Sequence, residues 1–205
     1  MNKRILFLIE QAGTLMHFPR SHQKHLGNTF DTVASHSHHV SIIAYCIARM
    51  EKLSHEEALK AMAMAAFHDL PEARTGDQDF VAKHYGEPDE EKAIADQFKD
   101  LPFTDDLMNL IKEYENRDTL IAKCAKDADS LEQMYQEWFL MWQGNQMAKI
   151  WFDSDFGDRV PHFKTESAKT LAKQMKDSHP HEWWFSELVD ENGFAKDLSK
   201  LIGKK

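Results

Sequence analysis

Three places in the chain carry imidazoles and carboxylates at spacings that suit a divalent metal. His36 stands four residues before Val40, on the apolar side of a helical pattern. His68-Asp69 closes a second helical pattern, with Asp69 three residues beyond Ala66 on what reads as its buried side. Asp127 and Asp129 interrupt the longest pattern, in Lys126-Asp127-Ala128-Asp129-Ser130-Leu131. A helical bundle holds a metal by aiming such groups inward from different helices, with positions left open for water. Taken singly, each has an ordinary explanation: a hydrogen-bonded core histidine, a helix end, solvated aspartates. Their joint occurrence, in this order and on separate helices, is what points to a metal centre. Two residues apart, Asp127 and Asp129 cannot share one helical face. Periodicity leans toward Asp127, which lies nearer the face of Leu120, Leu131 and Trp138.

The elements that must position these groups are helices. Ile5, Leu8, Ile9, Ala12 and Leu15 follow the spacing of an amphipathic first helix. Phe18–Asp31, with Pro19, Gly27 and Asn28, reads as a long connecting loop. A second helix is predicted from about Val33 to Glu51, with Val40, Ile43, Ala44 and Ile47 inward. Ser54 and Glu57 form a capping box that opens a third, whose inner face is Leu59, Met62, Ala63, Ala66 and Phe67. Pro71 and Gly76 break the pattern just past His68-Asp69. Helices are expected at Pro88–Asp100, Thr104–Glu115 and Asp118–Trp142, then a loop at Phe152–His162. Two more helical segments follow at Thr165–Lys176 and His181–Leu188. No run alternates as a strand would, so the expected class is all-α: a single-domain helical bundle over 1–205. Its metal-binding core would span about 30–142, with C-terminal helices at about 161–190 packed on it.

Composition narrows the functional classes. With 205 residues, 42% of them hydrophobic, the chain can bury one sizeable core. A net charge of −9 disfavours long nucleic acids as partners but allows a small phosphorylated ligand in a local pocket. The apolar run at Ile5–Ile9 is too short for a signal-peptide core or a membrane span. Cys46 and Cys124 lie in apolar helical patterns without a CxxC partner and read as buried free thiols of a reducing compartment. A cytoplasmic location is therefore expected. Trp183-Trp184, with His179 and His181, reads as a terminal helix packing its aromatics on the core; a pocket lid or a homodimer contact are the alternatives.

The motifs resemble those of the HD-domain phosphohydrolase superfamily, whose signature is H…HD…D on a helical core. Val33-Ala34-Ser35-His36-Ser37, Ala65-Ala66-Phe67-His68-Asp69 and Lys126-Asp127-Ala128-Asp129-Ser130-Leu131 are similar to its first, central and last motifs. The resemblance implies one divalent metal ion (Mn, Co, Zn, Fe, Ni or Mg) on His36, His68, Asp69 and Asp129, and it favours Asp129 over Asp127. His68-Asp69-Leu70-Pro71-Glu72-Ala73-Arg74-Thr75-Gly76-Asp77 is similar to the HD-x-x-E-x-x-x-G-D stretch of the 5′-deoxynucleotidase branch. That match implies Glu72 and Asp77 as catalytic carboxylates, in roles the sequence does not divide between them. The family's phosphate-gripping Arg corresponds to Arg20, whose planar fork suits two phosphate oxygens. The Trp that often follows that Arg is missing; His22, His25 and Phe30 stand there instead. The implied substrate is a nucleoside 5′-monophosphate. Another small phosphorylated metabolite, or a non-catalytic nucleotide-binding role, are the alternatives.

Overall fold

The structure is a computed structural model that describes residues 3–27 and 31–190. Phe30 lies outside the described residues. The chain begins with α1 (Lys3–Thr14), a 3-10 turn at Leu15–His17 and a short α2 (Gln23–Leu26). The central helices are α3 (Val33–Met50) and α4 (His55–Phe67). Short helices α5 (Glu72–Thr75) and α6 (Phe80–Tyr85) lead to α7 (Glu90–Phe98) and α8 (Thr104–Asn116). The longest helix is α9 (Leu120–Trp142), followed by α10 (Gln146–Asp158), α11 (Glu166–Lys176) and α12 (Glu182–Leu188). Pro19 and Thr32 form an isolated β bridge. The class is all-α. Among those residues no helix is long and apolar enough to cross a membrane.

Helices α3, α4 and α9 pack on one another, and small side chains explain how. Ala44, Ala48, Ala58, Ala61, Ala65, Ala122, Ala125 and Ala128 are all fully buried. Alanine at the contact lets helix axes approach toward the short end of the usual 8–10 Å range. Larger side chains, Ile47, Met64, Leu131 and Met134, fill the gaps between them. Side chains start these helices: Thr32 with Ser35, and Ser54 with Glu57, form reciprocal capping boxes. Thr119 caps α9 by accepting from the Ala122 N–H.

A second cluster, Leu8, Leu15, Val33, Leu70, Phe98, Leu101, Leu107 and Ile111, lies where α1, α7 and α8 surround the turn after α4. The buried Gln97 side-chain amide donates to the Leu70 carbonyl at 3.0 Å. Apolar packing and this bond together hold the segment carrying His68-Asp69 and Glu72. The elements around α1 thus serve the site as well as the core.

Several expectations are corrected. The inner face of α4 is Ala58, Ala61, Met64 and Ala65, whereas Leu59 is 45% exposed and Ala66 is exposed. The close approach of α3 and α9 turns the alanines inward and leaves the larger Leu59 outside. In the last turn of α4 the buried alanine is Ala65, and not Ala66. On α1, Leu8 is buried while Ile5, Ile9 and Ala12 are exposed, because the helix covers the core with one edge only. Residues 152–158 belong to α10, not to a loop. Asn145 caps this helix by accepting from the Ala148 N–H, and Ala148 and Phe152 are buried, which outweighs the poor helix propensity of its Asp, Ser and Gly. Cys46 is exposed, on the outward side of α3, while Cys124 is buried and its thiol pushed up to about 12 by burial. Farther on, α11 buries Ala168 and Ala172, whereas α12 buries no side chain and leaves Trp183 67% exposed.

The α9–α10 contact contains a buried acid with a testable consequence. Burial, reinforced by Asp155, pushes the Glu137 carboxyl up to about 8, so it is neutral when folded. Between the unfolded value near 4.5 and about 8, the folded chain keeps a proton that the unfolded chain has lost. Stability from this group is therefore complete at low pH and falls as pH rises through that window. Glu137→Gln preserves an acceptor for the Gln133 amide, now 3.0 Å away. The variant is expected to melt several degrees higher than the parent at about pH 8, and nearly with it at about pH 5. Equal shifts at both pH values would contradict the account.

Candidate metal centre and adjoining cavity

Four side chains from three parts of the bundle converge. His36 comes from the first turn of α3, His68-Asp69 from the C-terminus of α4, and Asp129 from the middle of α9. His36 Nε2 lies 3.2 Å from Asp129 Oδ1 and 3.4 Å from Asp69 Oδ2. His68 Nε2 lies 3.2 Å from Asp69 Oδ1 and 3.7 Å from Asp129 Oδ1. Ligand atoms of His36, His68 and Asp69 all fall within 4.8 Å of one another.

The outer nitrogens of both rings are committed elsewhere. His68 Nδ1 is 2.7 Å from the Ala65 carbonyl, which can only accept, so this nitrogen carries the proton. His36 Nδ1 is 2.5 Å from Glu132 Oε2, a buried carboxylate. Each imidazole thereby turns Nε2 toward the two aspartates. Both Nε2 atoms are buried and neither makes a hydrogen bond. An imidazole oriented through its far nitrogen by a carboxylate or carbonyl is the usual arrangement around a metal.

The electrostatics agree with a missing positive charge. Burial and Arg20 push the His36 pKa down, but Asp129, Glu132 and Asp69 overcome them and raise it to about 9. His68 is likewise raised against burial by Asp69 and Asp129. Burial opposes the charge on Asp129, yet Lys126, His36 and His68 hold its carboxyl well below the usual range. Carboxylates this concentrated draw protons onto the imidazoles, and a divalent ion would take the place of those protons. The donor set, two imidazoles and two carboxylates, fits a divalent transition metal.

Asp127, the alternative to Asp129, faces the other way. Its Oδ2 accepts from the Lys164 N–H, the Thr165 N–H and the Thr165 hydroxyl at 2.7–2.8 Å, tying α9 to the start of α11.

Next to the cluster stands Arg20. Its loop is folded back by hydrogen bonds from the Arg20 N–H to the Asp31 carbonyl (3.2 Å) and from the Val33 N–H to the Phe18 carbonyl (2.9 Å). Arg20 Nη1 is 3.2 Å from Asp69 Oδ2 and 3.3 Å from Asp77 Oδ2. Burial works against its charge, but Asp69, Asp77 and Glu72 raise its pKa further. Asp77 is heavily engaged, accepting from the Ser21 N–H at 2.8 Å and the Ser21 hydroxyl at 3.1 Å. Glu72 contrasts with it: Oε2 is buried and makes no hydrogen bond. Burial, with Asp69 and Asp77 nearby, pushes the Glu72 carboxyl up to about 9.

The cluster opens onto a cavity of about 520 Å³ whose lining includes Arg20, Asp77, Lys126, Asp129 and Trp151. Lys126 Nζ lies 2.8 Å from Asp129 Oδ2 and above the Tyr114 ring. Two functional candidates escaped the sequence reading. Glu132 stands three residues past Asp129 on the same face of α9, a spacing that could have revealed it. Trp151 had no such signal, since its position depends on α10, which the sequence does not show. His39 also reaches Glu132, at 3.2 Å from Oε1, while His38 is exposed.

A helical core with paired imidazoles and aspartates in this order defines a class, and comparison with known proteins places the chain in it. The HD-domain family profile matches residues 12–171, and the chain belongs to that family. A protein solved by structural genomics is 28% identical, with a TM-score of 0.70, over 89% of this chain and 99% of its own. A conserved hypothetical protein from Pyrococcus furiosus is 26% identical, with a TM-score of 0.68, over 84% of this chain and 99% of its own. A predicted metal-dependent phosphohydrolase from Magnetospirillum magnetotacticum shares the fold at 22% identity and a TM-score of 0.59, over 85% of this chain and 90% of its own. No match to a curated protein was found.

Proposed function

We propose that the chain is a metal-dependent phosphohydrolase that cleaves (deoxy)ribonucleoside 5′-monophosphates to nucleoside and phosphate. The observation that carries the reading is the pair of buried, unbonded Nε2 atoms of His36 and His68 facing Asp69 and Asp129, with Arg20 beside them. The finer likeness, in Glu72 and Asp77, supports the 5′-deoxynucleotidase branch.

One divalent cation on His36, His68, Asp69 and Asp129 would, when bound, supply positive charge at the phosphoryl oxygens and lower the pKa of water. Arg20 grips the phosphate through its guanidinium and stabilises the charge that shifts onto the oxygens in the transition state. Asp77, filled by Ser21 and Arg20, positions that arginine. Glu72 has the free carboxyl oxygen and is the group assigned to proton transfer. This division of labour between Glu72 and Asp77 is the one their hydrogen bonds support.

The test is phosphate release from a panel of deoxyribo- and ribonucleoside 5′-monophosphates, with other small phosphomonoesters alongside and several metals. Turnover is expected with the nucleotides and Mn²⁺ or Co²⁺. Preference for a non-nucleotide ester would overturn the substrate assignment and leave the phosphohydrolase.

A further inference from the structure

The cavity beside the metal cluster has walls that the phosphate chemistry does not use. Its lining includes the rings of His25 from α2, Phe80 from the start of α6 and Trp151 from α10. His25 and Trp151 pack against each other at 5.8 Å between centroids, inclined by 47°. Helix α10 is anchored by Ala148 and Phe152, so Trp151 is not needed to hold it and stays only half-buried. Phe80 is 92% exposed. Large apolar rings left partly bare on a polar cavity gain free energy when a flat ligand covers them. Amide side chains, Gln78 and Gln133, line the same space, and Gln78 Oε1 is buried without a hydrogen-bond partner. A nucleobase offers both features, a π-face and N–H groups at its edge. The volume, about 520 Å³, lies in the ordinary range for small-molecule sites.

We infer that Trp151 is a specificity-determining residue of this cavity: the nucleobase of the substrate stacks on its ring while Gln78 accepts a hydrogen bond from the base edge. The inference rests on the nucleotide reading above, and it assigns to α10 a tryptophan that the Arg20 loop lacks. Stacking on an aromatic face is sequence-tolerant, so the wall favours nucleotides as a class over phosphates without a base.

The experiment compares Trp151→Leu and Trp151→Phe with the parent, all loaded with Mn²⁺. It reads kcat/KM for a deoxyribonucleoside 5′-monophosphate and for 2-deoxyribose 5-phosphate, and nucleotide Kd by calorimetry. Trp151→Leu is expected to lower the nucleotide-to-sugar-phosphate ratio of kcat/KM roughly ten-fold or more and to raise the nucleotide Kd similarly. Trp151→Phe should recover most of both. An equal loss on the two substrates, or an unchanged ratio and Kd, overturns the inference. Nucleotide hydrolysed without any dependence on Trp151 removes the inference and keeps the activity. Nucleotide bound through Trp151 but not hydrolysed keeps the inference and removes the activity; no nucleotide binding at all removes both.

Discussion

Glu72→Gln is expected to reduce phosphate release by ~100- to ~10,000-fold, the usual range for losing a proton-transfer group. Metal content, read by elemental analysis, should stay at the parental level, because Glu72 is not among the four converging side chains. The substitution is nearly isosteric and removes only the capacity to exchange a proton. It also replaces a carboxyl whose ionisation is opposed by burial and by Asp69 and Asp77. The variant should therefore melt no lower than the parent at neutral pH. Lost activity with undiminished stability separates a proton-transfer role from a structural one, and fits the cost that functional groups impose on folding. A variant with parental turnover would move that role to another group.

The sequence shows the centre more clearly than its surroundings. His36, His68 and Asp69 are legible because a helix carries a side chain's direction in its spacing, and a bundle must aim buried polar groups at one another, whereas Asp129 rests on the likeness of its motif to the last HD motif. Spacing alone leaned toward Asp127, and what it detected was burial: Asp127 is buried, as the cap that joins α9 to α11. Periodicity reports that a residue faces inward, not which neighbour it meets there. The face of α4 was misjudged for a related reason. Leu59 outweighs Ala61 in a hydrophobic pattern, but the tight packing of α3, α4 and α9 buries Ala58, Ala61 and Ala65 of α4, with Met64 filling the gap between them. Helix α10 was hidden because Asp153, Ser154, Asp155, Gly157 and Asp158 carry loop-like chemistry, which the Asn145 cap and burial of Ala148 and Phe152 outweigh. With α10 unseen, Trp151 could not be placed in the cavity. Glu72 and Asp77 were legible as a pair; only their hydrogen bonds distinguish them.

Metal removal has the largest expected effect. Asp69, Asp129 and Glu132 surround two imidazoles whose Nε2 atoms have no hydrogen-bond partner, so the cluster is built for a cation. Without one, singly charged protons on the imidazoles stand where a divalent ion would sit, with Arg20 and Lys126 as the cationic side chains beside them. Loss of several kcal/mol of charge stabilisation at the phosphoryl group corresponds to ~1,000-fold or more in rate. Binding to the folded state alone should also raise the melting temperature on reloading. The direct measurement is phosphate release by chelator-treated protein, verified metal-free by elemental analysis, before and after addition of Mn²⁺ or Co²⁺. The account predicts that release falls to background on stripping and returns with about one bound ion per chain. Undiminished release from verified metal-free protein would contradict it.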